Sequence, residues 1–335
     1  MSAPEVSVLL PAFDAEATLA TALRSVLRQR ERRWECIVVD DGSTDGTAAC
    51  TRRFAADDAR FRMISVPHAG VVGALRLGLA LARGRLVARM DADDVMHRDR
   101  LGAQRASLDA APGLAAVGCH VRVFPRPTPS AGLRAYERWL NAIDCAARLR
   151  AEAFVECPVA HPTLMVRRNV LRALGYRDAG WPEDYDLVLR LLAAGHEIGV
   201  VPRRLHAWRD GPGRLWRRDV RYRQERFAAC KAAFLAGGIL ARSDTYVLWG
   251  YGATGRALRR ALLAHGKRPS HVVDVHPGRL GMRIHGAPVI SIADLAAAPR
   301  GPVVASVAGE TPRGLIRAAL AAMGLRETAD FVCAA

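Results

Sequence analysis

The sequence contains very little lysine: only Lys231 and Lys267 occur among 335 residues, while 47 arginines lead to a formal net charge of +16. Without a lysine in a glycine-rich loop, the chain has neither a Walker-type phosphate loop nor the lysine-bearing strand of a kinase. Zinc-finger spacing and basic stretches interleaved with aromatic residues are also absent, so we expect no nucleic-acid partner. Because alanine is abundant too, we attribute much of the arginine excess to codon bias.

Long apolar runs and paired cysteines are missing as well. No stretch reaches the roughly 18 uncharged apolar residues that a membrane-spanning helix needs, and the first residues lack the basic region of a signal peptide. The seven cysteines are scattered and never stand in C-x-x-C spacing. Such a pattern is typical of reduced thiols and argues against a disulfide framework or a structural zinc site. We therefore expect a cytoplasmic protein.

One segment concentrates the positive charge. Residues 203–226 contain nine arginines against three acidic residues. A run of this kind is often a solvated surface. It is also typical of a segment that binds an anionic substrate or an anionic membrane, which would bring the protein to the inner face of the membrane. The sequence leaves these interpretations open.

Apolar runs and amphipathic segments alternate along the first hundred residues. Buried strands are predicted at 6–10, 36–39 and 86–90, and helices at 18–27, 47–56 and 72–82, the first with Leu19, Leu23, Val26 and Leu27 on one face. Further along the chain, one helix is predicted at 133–150. This order predicts an α/β fold with a mostly parallel sheet, whose ligands bind at the carboxyl ends of the strands. The length suits two domains, and the α/β pattern restarts after residue 243. We predict a first domain at 1–243 and a smaller α/β domain at 244–335.

A group of carboxylates follows one of these strands. Asp91 and Asp93 stand two residues apart at the strand end, where alternate side chains point to the same side. Two carboxylates placed in this way can bind one divalent cation and leave positions open for phosphate oxygens. Residues 91–94 can instead form a polar loop that caps the following helix.

Five stretches of the chain carry a family resemblance. They are PAFDAEATLATALRSVLRQ (11–29), CIVVDDGSTDGT (36–47), GVVGALRLGLALARGRLVARMDADD (70–94), HPTLMVRR (161–168) and WPEDYDLVLRL (181–191). Each is a loose match alone, but the five occur in order at family spacing. Together they resemble the inverting family 2 glycosyltransferases, whose nucleotide-binding domain has the GT-A fold, across roughly residues 5–215. The resemblance implies transfer of a sugar from a nucleotide-sugar to an acceptor hydroxyl.

The resemblance also implies a nucleotide-binding set near the strand ends. Its members are Pro11, Ala12, Phe13, Glu16, Asp40, Asp41, Arg76, Asp91 and Ala92. Phe13 would lie against the base, and Asp40 would accept the N3–H of uracil, which favours a UDP-sugar donor. Glu16 would line the pocket or instead cap the first helix. Relatives often have asparagine in place of Arg76, whose cation would meet a phosphate or form a salt bridge.

The resemblance gives the metal to Asp91 and Asp93, which would hold Mn²⁺ or Mg²⁺ against the donor diphosphate. Relatives often carry a histidine close to this metal, within a W/Y-R-x-H pattern. Here Trp208-Arg209-Asp210 is followed by Gly211. Either Asp210, water or Arg214 replaces the histidine, or metal affinity and turnover are reduced.

Asp184 matches the aspartate of the family's Glu-Asp pair and would be the general base that takes a proton from the acceptor hydroxyl. Its position in the first helical turn should keep it ionised at pH 7. A plain helix N-cap is the alternative, and His161 would contact phosphate or acceptor or be structural. The Q-x-x-R-W signature of processive synthases is missing, so we expect one addition to a glycan or lipid-linked acceptor.

A second nucleotide motif lies near the C-terminus. Gly250, Gly252 and Gly255 follow a predicted strand and open a helix, and Asp274 ends the next strand. This context is typical of a dinucleotide fingerprint and resembles small Rossmann-like modules attached to sugar-modifying enzymes. A second bound nucleotide or dinucleotide is one interpretation, and a structural or assembly role is another.

Two alternative functions remain for the whole chain. One is an NAD-linked oxidoreductase that uses the C-terminal domain, although no acid/base set of a dehydrogenase accompanies the glycines. The other is an inactive nucleotide-sugar-binding scaffold, which is suggested by the glycine at position 211, where relatives often have a histidine.

Overall fold

A computed structural model of the chain describes residues 3–125, 130–211, 214, 217, 219–298 and 301–335. Contacts divide the chain into two compact units. The first comprises Met1–Leu149, Val159–Asp178 and Arg190–Arg214, and the second comprises Arg150–Pro158, Ala179–Leu189 and Leu215–Ala335. The domain boundary near residue 243 stays a prediction. Two internal stretches, 150–158 and 179–189, belong to the same compact unit as the C-terminal residues.

Strands and helices alternate from the first strand onward. Up to residue 209 they are β1 (Val6–Ala12), α1 (Glu16–Leu27), β2 (Trp34–Asp40), α2 (Thr47–Asp57), β3 (Phe61–Ser65), α3 (Gly70–Leu81), β4 (Leu86–Arg89), β5 (Val95–Met96), α4 (Arg100–Ala110), β6 (Leu114–Phe124), α5 (Ala131–Ala142), α6 (Ala146–Glu152), β7 (Met165–Arg167), α7 (Arg168–Leu174), α8 (Glu183–Ala193) and β8 (Glu197–Arg209). Within the described residues, the strands form one sheet in the order β3-β2-β1-β4-β7-β6-β8-β5.

The sheet is parallel through β3, β2, β1 and β4, and mixed beyond β4 because β7 runs antiparallel to both β4 and β6. The α/β class and the parallel first half are confirmed. Two predictions differ from the structure. Strand β6 was not predicted, and the single helix expected at 133–150 is two helices, since the Asn141 side chain bonds both main-chain groups of Val121 and α5 ends there.

The core of the first unit follows from strand and helix periodicity. Strand β2 is buried along its whole length, as a strand covered on both faces must be. From α1, Leu19, Leu23 and Val26 pack into the same apolar cluster. Leu27, which the helical pattern also placed on this face, is 37% exposed, because it lies at the edge of the stripe.

The second unit contains its own sheet. Its elements after residue 215 are α9 (Gln224–Gly237), β9 (Thr245–Trp249), α10 (Ala253–Leu263), β10 (Arg268–Val273), β11 (Arg283–Ile284), β12 (Ala287–Ile290), α11 (Ile292–Leu295), β13 (Val303–Ala305), α12 (Glu310–Ala322) and β14 (Phe331–Cys333). The described strands follow the order β11-β12-β10-β9-β13-β14, and all pairs but β11–β12 are parallel. From β12 to β14 this is the 3-2-1-4-5 order of a doubly wound sheet, with the order reversing at β9.

Polar side chains explain why residues 150–158 group with this second sheet. The buried Glu152 carboxylate lies 2.9 Å from Nη1 of Arg317 on α12. Lys231 of α9 donates from Nζ to the main-chain oxygens of Val155 (2.8 Å) and Ala334 (3.1 Å). Buried charges of this kind are tolerated only when they are paired or hydrogen-bonded, so these contacts fix the segment. No helix in the described part of the chain is long and apolar enough to cross a membrane.

Candidate active site

The predicted nucleotide residues come together because β1, β2 and β4 are parallel neighbours. Ala12 is in register with Asp40, and the Asp41 N–H donates to the Ala12 oxygen at 2.9 Å. On the other side of β1, the Met90 N–H donates to the oxygen of Leu9. The segments that follow the three strands therefore start at the same edge of the sheet, where parallel α/β sheets bind ligands.

An aromatic pair lies at this edge. The Phe13 ring is 49% exposed and stands 4.4 Å, centroid to centroid, from the ring of His68. Nδ1 of His68 is 3.0 Å from Oδ2 of Asp41, whose Oδ1 accepts the Ala69 N–H at 2.7 Å. His68 was not predicted. It follows β3, the next parallel strand, and its position after a strand end is the feature from which it could have been predicted.

Three other members of the nucleotide set have partners inside the protein. Asp40 is buried and accepts the Ser43 N–H and the Ser65 hydroxyl, both at 3.1 Å. Glu16 accepts the Gly46 N–H, so it caps α2 and not its own helix. Nε of Arg76 donates to the main-chain oxygen of residue 176 at 2.8 Å, not to a carboxylate. Carboxylate oxygens and guanidinium groups have further bonding capacity, so the nucleotide roles of these three residues stay predictions.

The acidic group after β4 is compact. Asp91, Asp93 and Asp94 each offer an oxygen within 4.8 Å of the others. Asp94 is fully buried and already engaged, since Oδ2 accepts from Nε2 of His206 at 2.8 Å and Oδ1 from the main-chain N–H of Arg209 at 2.7 Å. Asp94 therefore holds the turn, which leaves Asp91 and Asp93 as the candidate ligands for a cation.

His206 is a neutral imidazole in this arrangement. Its Nδ1 accepts from Nη1 of Arg100 at 3.1 Å, which leaves the proton on Nε2 for Asp94. Burial, together with the positive charge of Arg100, lowers the pKa of His206 well below its ordinary value. His161 is neutral for similar reasons: burial and the Arg89 charge lower its pKa to about 3, so it brings no positive charge to a phosphate.

Two arginines face Asp91. Nη2 of the buried Arg89 lies 2.6 Å from Oδ1, and Nη2 of Arg214 lies 3.6 Å from Oδ2. Burial disfavours a charge on Asp91, but these guanidinium groups outweigh it and lower its pKa. For Asp93, burial and the charges of its two neighbours act together and raise the pKa to about 7. Arg214, one of the replacements considered for the missing histidine, lies at the cluster.

These residues fit a divalent metal. Carboxylate oxygens are the donors that Mg²⁺ and Mn²⁺ prefer, and a cation would relieve the repulsion that raises the pKa of Asp93. Asp91 and Asp93 would hold it, in agreement with the residues that the sequence indicated. Ala92 lies between them in the same turn.

Helix α8 carries the Glu-Asp pair. The buried Glu183 accepts the Tyr222 hydroxyl at 3.0 Å, and Oδ1 of Asp184 accepts the Tyr185 N–H at 2.7 Å. Burial and the Glu183 charge raise the pKa of Asp184 to about 8. The expectation that the first helical turn keeps Asp184 ionised at pH 7 is therefore wrong, because desolvation and the adjacent carboxylate outweigh the helix dipole.

Of the three glycines after β9, two have no room for a side chain and one has open space around it. A Cβ on Gly250, whose φ is +92°, would stand 2.4 Å from a methyl group of Val307, and one on Gly255 would stand 2.3 Å from the Gly250 oxygen. Gly252 has an ordinary φ of −75° and open space around its Cβ position. Asp274 accepts the His276 N–H at 3.0 Å and pairs with Arg279 at 2.7 Å.

The arginine-rich segment 203–226 does not present all its charge to solvent. Arg203 pairs with Asp99 at 3.5 Å, and Arg221 pairs with Asp219. Nε of Arg209 donates to the main-chain oxygen of Asp93. Residues 212–213, 215–216 and 218 lie outside the described part of the chain. Contact with an anionic membrane stays a prediction.

Comparison with known proteins identifies the class. Residues 7–175 match the family "Glycosyl transferase family 2". EpsE of Bacillus subtilis (strain 168), which is named as a glycosyltransferase, is 31% identical over 227 residues, covering 66% of this chain and 78% of that protein. The chain belongs to glycosyl transferase family 2, and it is a glycosyltransferase. This membership favours neither the oxidoreductase nor the inactive scaffold.

Further relatives and solved structures agree. The glucosyltransferase WfgD of Escherichia coli, named as using UDP-Glc, is 35% identical over 100 residues, which are 30% of this chain and 39% of that protein. Staphylococcus aureus TarS, solved with UDP-GlcNAc, superposes with a TM-score of 0.55 at 16% identity over 78% of this chain and 72% of its own. Mannosyltransferase PcManGT of Pyrobaculum calidifontis, solved with GDP-Man and Mn²⁺, gives 0.55 at 19% identity over 98% and 82%. The GT-A fold is confirmed.

The raised pKa of Asp93 leads to a test of the cation site. Because its folded pKa of about 7 lies above the ordinary value of about 4, ionisation of Asp93 costs stability progressively as the pH rises between these values. Asp93→Asn should therefore be more stable than the wild type at pH 8, by about 1–2 kcal/mol, and equally stable near pH 4. Urea unfolding at both pH values measures the difference.

Mn²⁺ should raise the melting temperature of the wild type at pH 8 but not that of Asp93→Asn. The exposed Asp57 gives the control, since Asp57→Asn should follow the wild type in both experiments. An Asp93→Asn variant that is less stable at pH 8 would contradict the repulsion argument.

Proposed function

We propose that the protein transfers one sugar, with inversion, from a nucleotide-sugar to a hydroxyl of a glycan or lipid-linked acceptor during polysaccharide or glycoconjugate synthesis. The observation that carries the proposal is the common edge of the parallel strands β1 to β4, where the Phe13–His68 pair, the buried Asp40 and Asp41 and the acidic group all lie. The nucleotide-sugars named with WfgD, TarS and PcManGT support a nucleotide-sugar donor.

The donor we propose is a UDP-sugar. Phe13 and His68 offer aromatic faces on which a planar base can stack, a contact worth about 1–3 kcal/mol in other proteins. A carboxylate acceptor at Asp40 suits uracil, whose N3–H is a donor, whereas the N3 of cytosine is an acceptor. Ser43 and Ser65 hold that carboxylate in place. Such pre-organisation lowers the entropic cost of binding.

Asp91 and Asp93 would hold Mn²⁺ or Mg²⁺ beside the diphosphate. When bound, the cation supplies Lewis-acid stabilisation of the charge that develops on the leaving nucleoside diphosphate. Asp94 and Arg89 keep the turn and Asp91 oriented through the contacts described above. Their role is positioning, which preserves geometry that electrostatic stabilisation needs.

Asp184 is our candidate for the general base. An alcohol has a pKa near 16 and needs a positioned base as the new C–O bond forms. A carboxylate whose pKa is raised to about 8 is a stronger base than an ordinary aspartate once it is ionised. Single displacement with such a base inverts the configuration of the sugar.

The donor assignment predicts a specific loss on removal of the Phe13 ring. Phe13→Ala should weaken UDP binding about tenfold, because base stacking is lost. Isothermal titration calorimetry in the presence of Mn²⁺ measures the affinity. Leu27, another large apolar residue of the first unit that is more than one-third exposed, gives the matched control, and Leu27→Ala should bind UDP as the wild type does. Equal UDP affinity in both variants would remove Phe13 from the pocket.

The base assignment predicts a distinctive pH profile. Asp184→Asn should lower turnover at least about 100-fold with little effect on UDP affinity. In the wild type, turnover should rise with pH around 8 as Asp184 ionises. Glu183→Gln removes the neighbouring negative charge and so lowers the pKa of Asp184, which should shift this rise to lower pH.

Glu225, an exposed residue in the first turn of α9, gives the control, because Glu225→Gln should leave the profile unchanged. Turnover of Asp184→Asn within a few-fold of the wild type would move the base elsewhere.

We also propose a second nucleotide or dinucleotide at the loop after β9. Gly250 and Gly255 are explained by close contacts, but nothing within 4 Å requires a glycine at position 252. Open space there suits a pyrophosphate approaching the start of α10, and β9 and β13 form the switch point of the sheet. Asp274 would then accept ribose hydroxyls beside Arg279.

If this loop binds a nucleotide, Gly252→Val should abolish one binding event, since its side chain would fill the open space. Calorimetry with UDP, UDP-sugars and NAD detects it, and sugar transfer should persist. Gly237→Val in the same unit, also at a position with free space, is the control. Unchanged binding stoichiometry in Gly252→Val for every nucleotide that binds the wild type would favour the structural role.

A further inference from the structure

Arg214 lies beside the acidic group but makes no short ion pair with its carboxylates. Its side chain is 11% exposed, and its guanidinium lies 3.6 Å from Oδ2 of Asp91 and 3.8 Å from Oδ1 of Asp94. The group also lies over the ring of Trp208, 4.8 Å from the centroid, while Nη1 donates to the main-chain oxygen of Arg209. Both carboxylates are thus beyond direct hydrogen-bond distance of Arg214.

Those carboxylates have closer partners. Arg89 contacts Asp91 at 2.6 Å, and the two oxygens of Asp94 accept from His206 and from the Arg209 N–H. Arg214 is therefore not needed to satisfy the hydrogen bonds of these two carboxylates. One side of the guanidinium is fixed by the hydrogen bond from Nη1 to the Arg209 oxygen. Nη2, which faces Asp91, is held only by the ring face and by Coulomb attraction, and neither of these fixes the direction of its N–H groups as a short hydrogen bond would.

Arg214 and a divalent cation have the same target. The cation needs the oxygens of Asp91 and Asp93, and Asp91 is the carboxylate that Arg214 faces through Nη2. Two positive groups beside one carboxylate repel each other, and burial strengthens that repulsion. A guanidinium released from Asp91 has the planar fork that matches phosphate oxygens.

We propose that Arg214 is a diphosphate-binding residue of the donor site: it neutralises Asp91 while the site is free of donor and turns to a phosphate oxygen when the nucleotide and a cation bind. This inference rests on the proposed function of the site. It has two consequences of opposite sign. Arg214 weakens the binding of a cation alone and strengthens the binding of a nucleoside diphosphate.

Calorimetry on the full chain separates these effects with three titrations: Mn²⁺ alone, UDP in EDTA, and UDP with saturating Mn²⁺. Arg214→Gln should bind Mn²⁺ alone about 3–10 times more tightly and UDP with saturating Mn²⁺ about 10 times more weakly than the wild type. Its loss of UDP affinity in EDTA should be smaller, because Arg214 then stays beside Asp91 in the wild type. Arg214→Lys keeps the charge and loses the fork. It should bind Mn²⁺ as the wild type does and UDP several times more weakly.

Arg203 provides the control, since its side chain is 57% exposed and pairs with Asp99. Arg203→Gln should match the wild type in all three titrations. Unchanged UDP affinity in both Arg214 variants would overturn the inference, and so would a loss of Mn²⁺ and UDP affinity together, which marks a purely structural residue. A wild type that binds no UDP under any condition would instead overturn the donor assignment itself.

Discussion

The parallel pairing of β1 with β2 and β4 is the constraint on which the rest of the first unit depends. Side chains alternate along a strand, and a shift of one residue would exchange the two faces. The register that pairs Ala12 with Asp40 and Leu9 with Arg89 buries the apolar residues of all three strands. The same register brings the polar residues after the strands to one edge, so core packing and site assembly are set by the same hydrogen bonds.

Placing several carboxylates at that edge of the sheet costs stability, and the three aspartates of the acidic group are stabilised to different degrees. Asp94 is satisfied by hydrogen bonds and Asp91 by guanidinium groups, while the pKa of Asp93 is raised by its surroundings. A carboxylate left in that state destabilises the protein without a ligand and favours a cation. Functional sites often retain such a local cost, because removing it would remove the binding energy as well.

Much of the fold could be predicted from the sequence because it follows from local periodicity. The runs at 6–10, 36–39 and 86–89 are buried strands in the structure, and α1 buries its expected apolar stripe except for Leu27. Strand β6 was missed although its sequence is apolar. Its neighbours β7 and β8 are distant in the chain, and no local pattern reports such pairing.

The position of the acidic group could also be predicted from the sequence, while the roles of its residues stay predictions. Asp91 and Asp93 could be recognised from their position after a strand. The contacts of His68 with Phe13 and of Arg214 with Asp91 join segments that are distant in the chain. Arg89 is only two residues from Asp91, but its pairing was not predicted. The charge state expected for Asp184 was wrong because helix position is visible in the sequence, whereas burial and the orientation of Glu183 are not.

The grouping of residues 150–158 with the C-terminal sheet has a consequence for the order of folding. Glu152 is held by Arg317, 165 positions later, and Val155 by Lys231, which also bonds Ala334. During synthesis from the N-terminus, this segment leaves the ribosome long before its partners exist. Until helix α12 and the last strand have been synthesised, its acidic side chain and main-chain oxygens are solvated by water and lack these partners. Contacts closed over such distances form late in folding, so residues 150–158 reach their final positions only with the last residues of their unit.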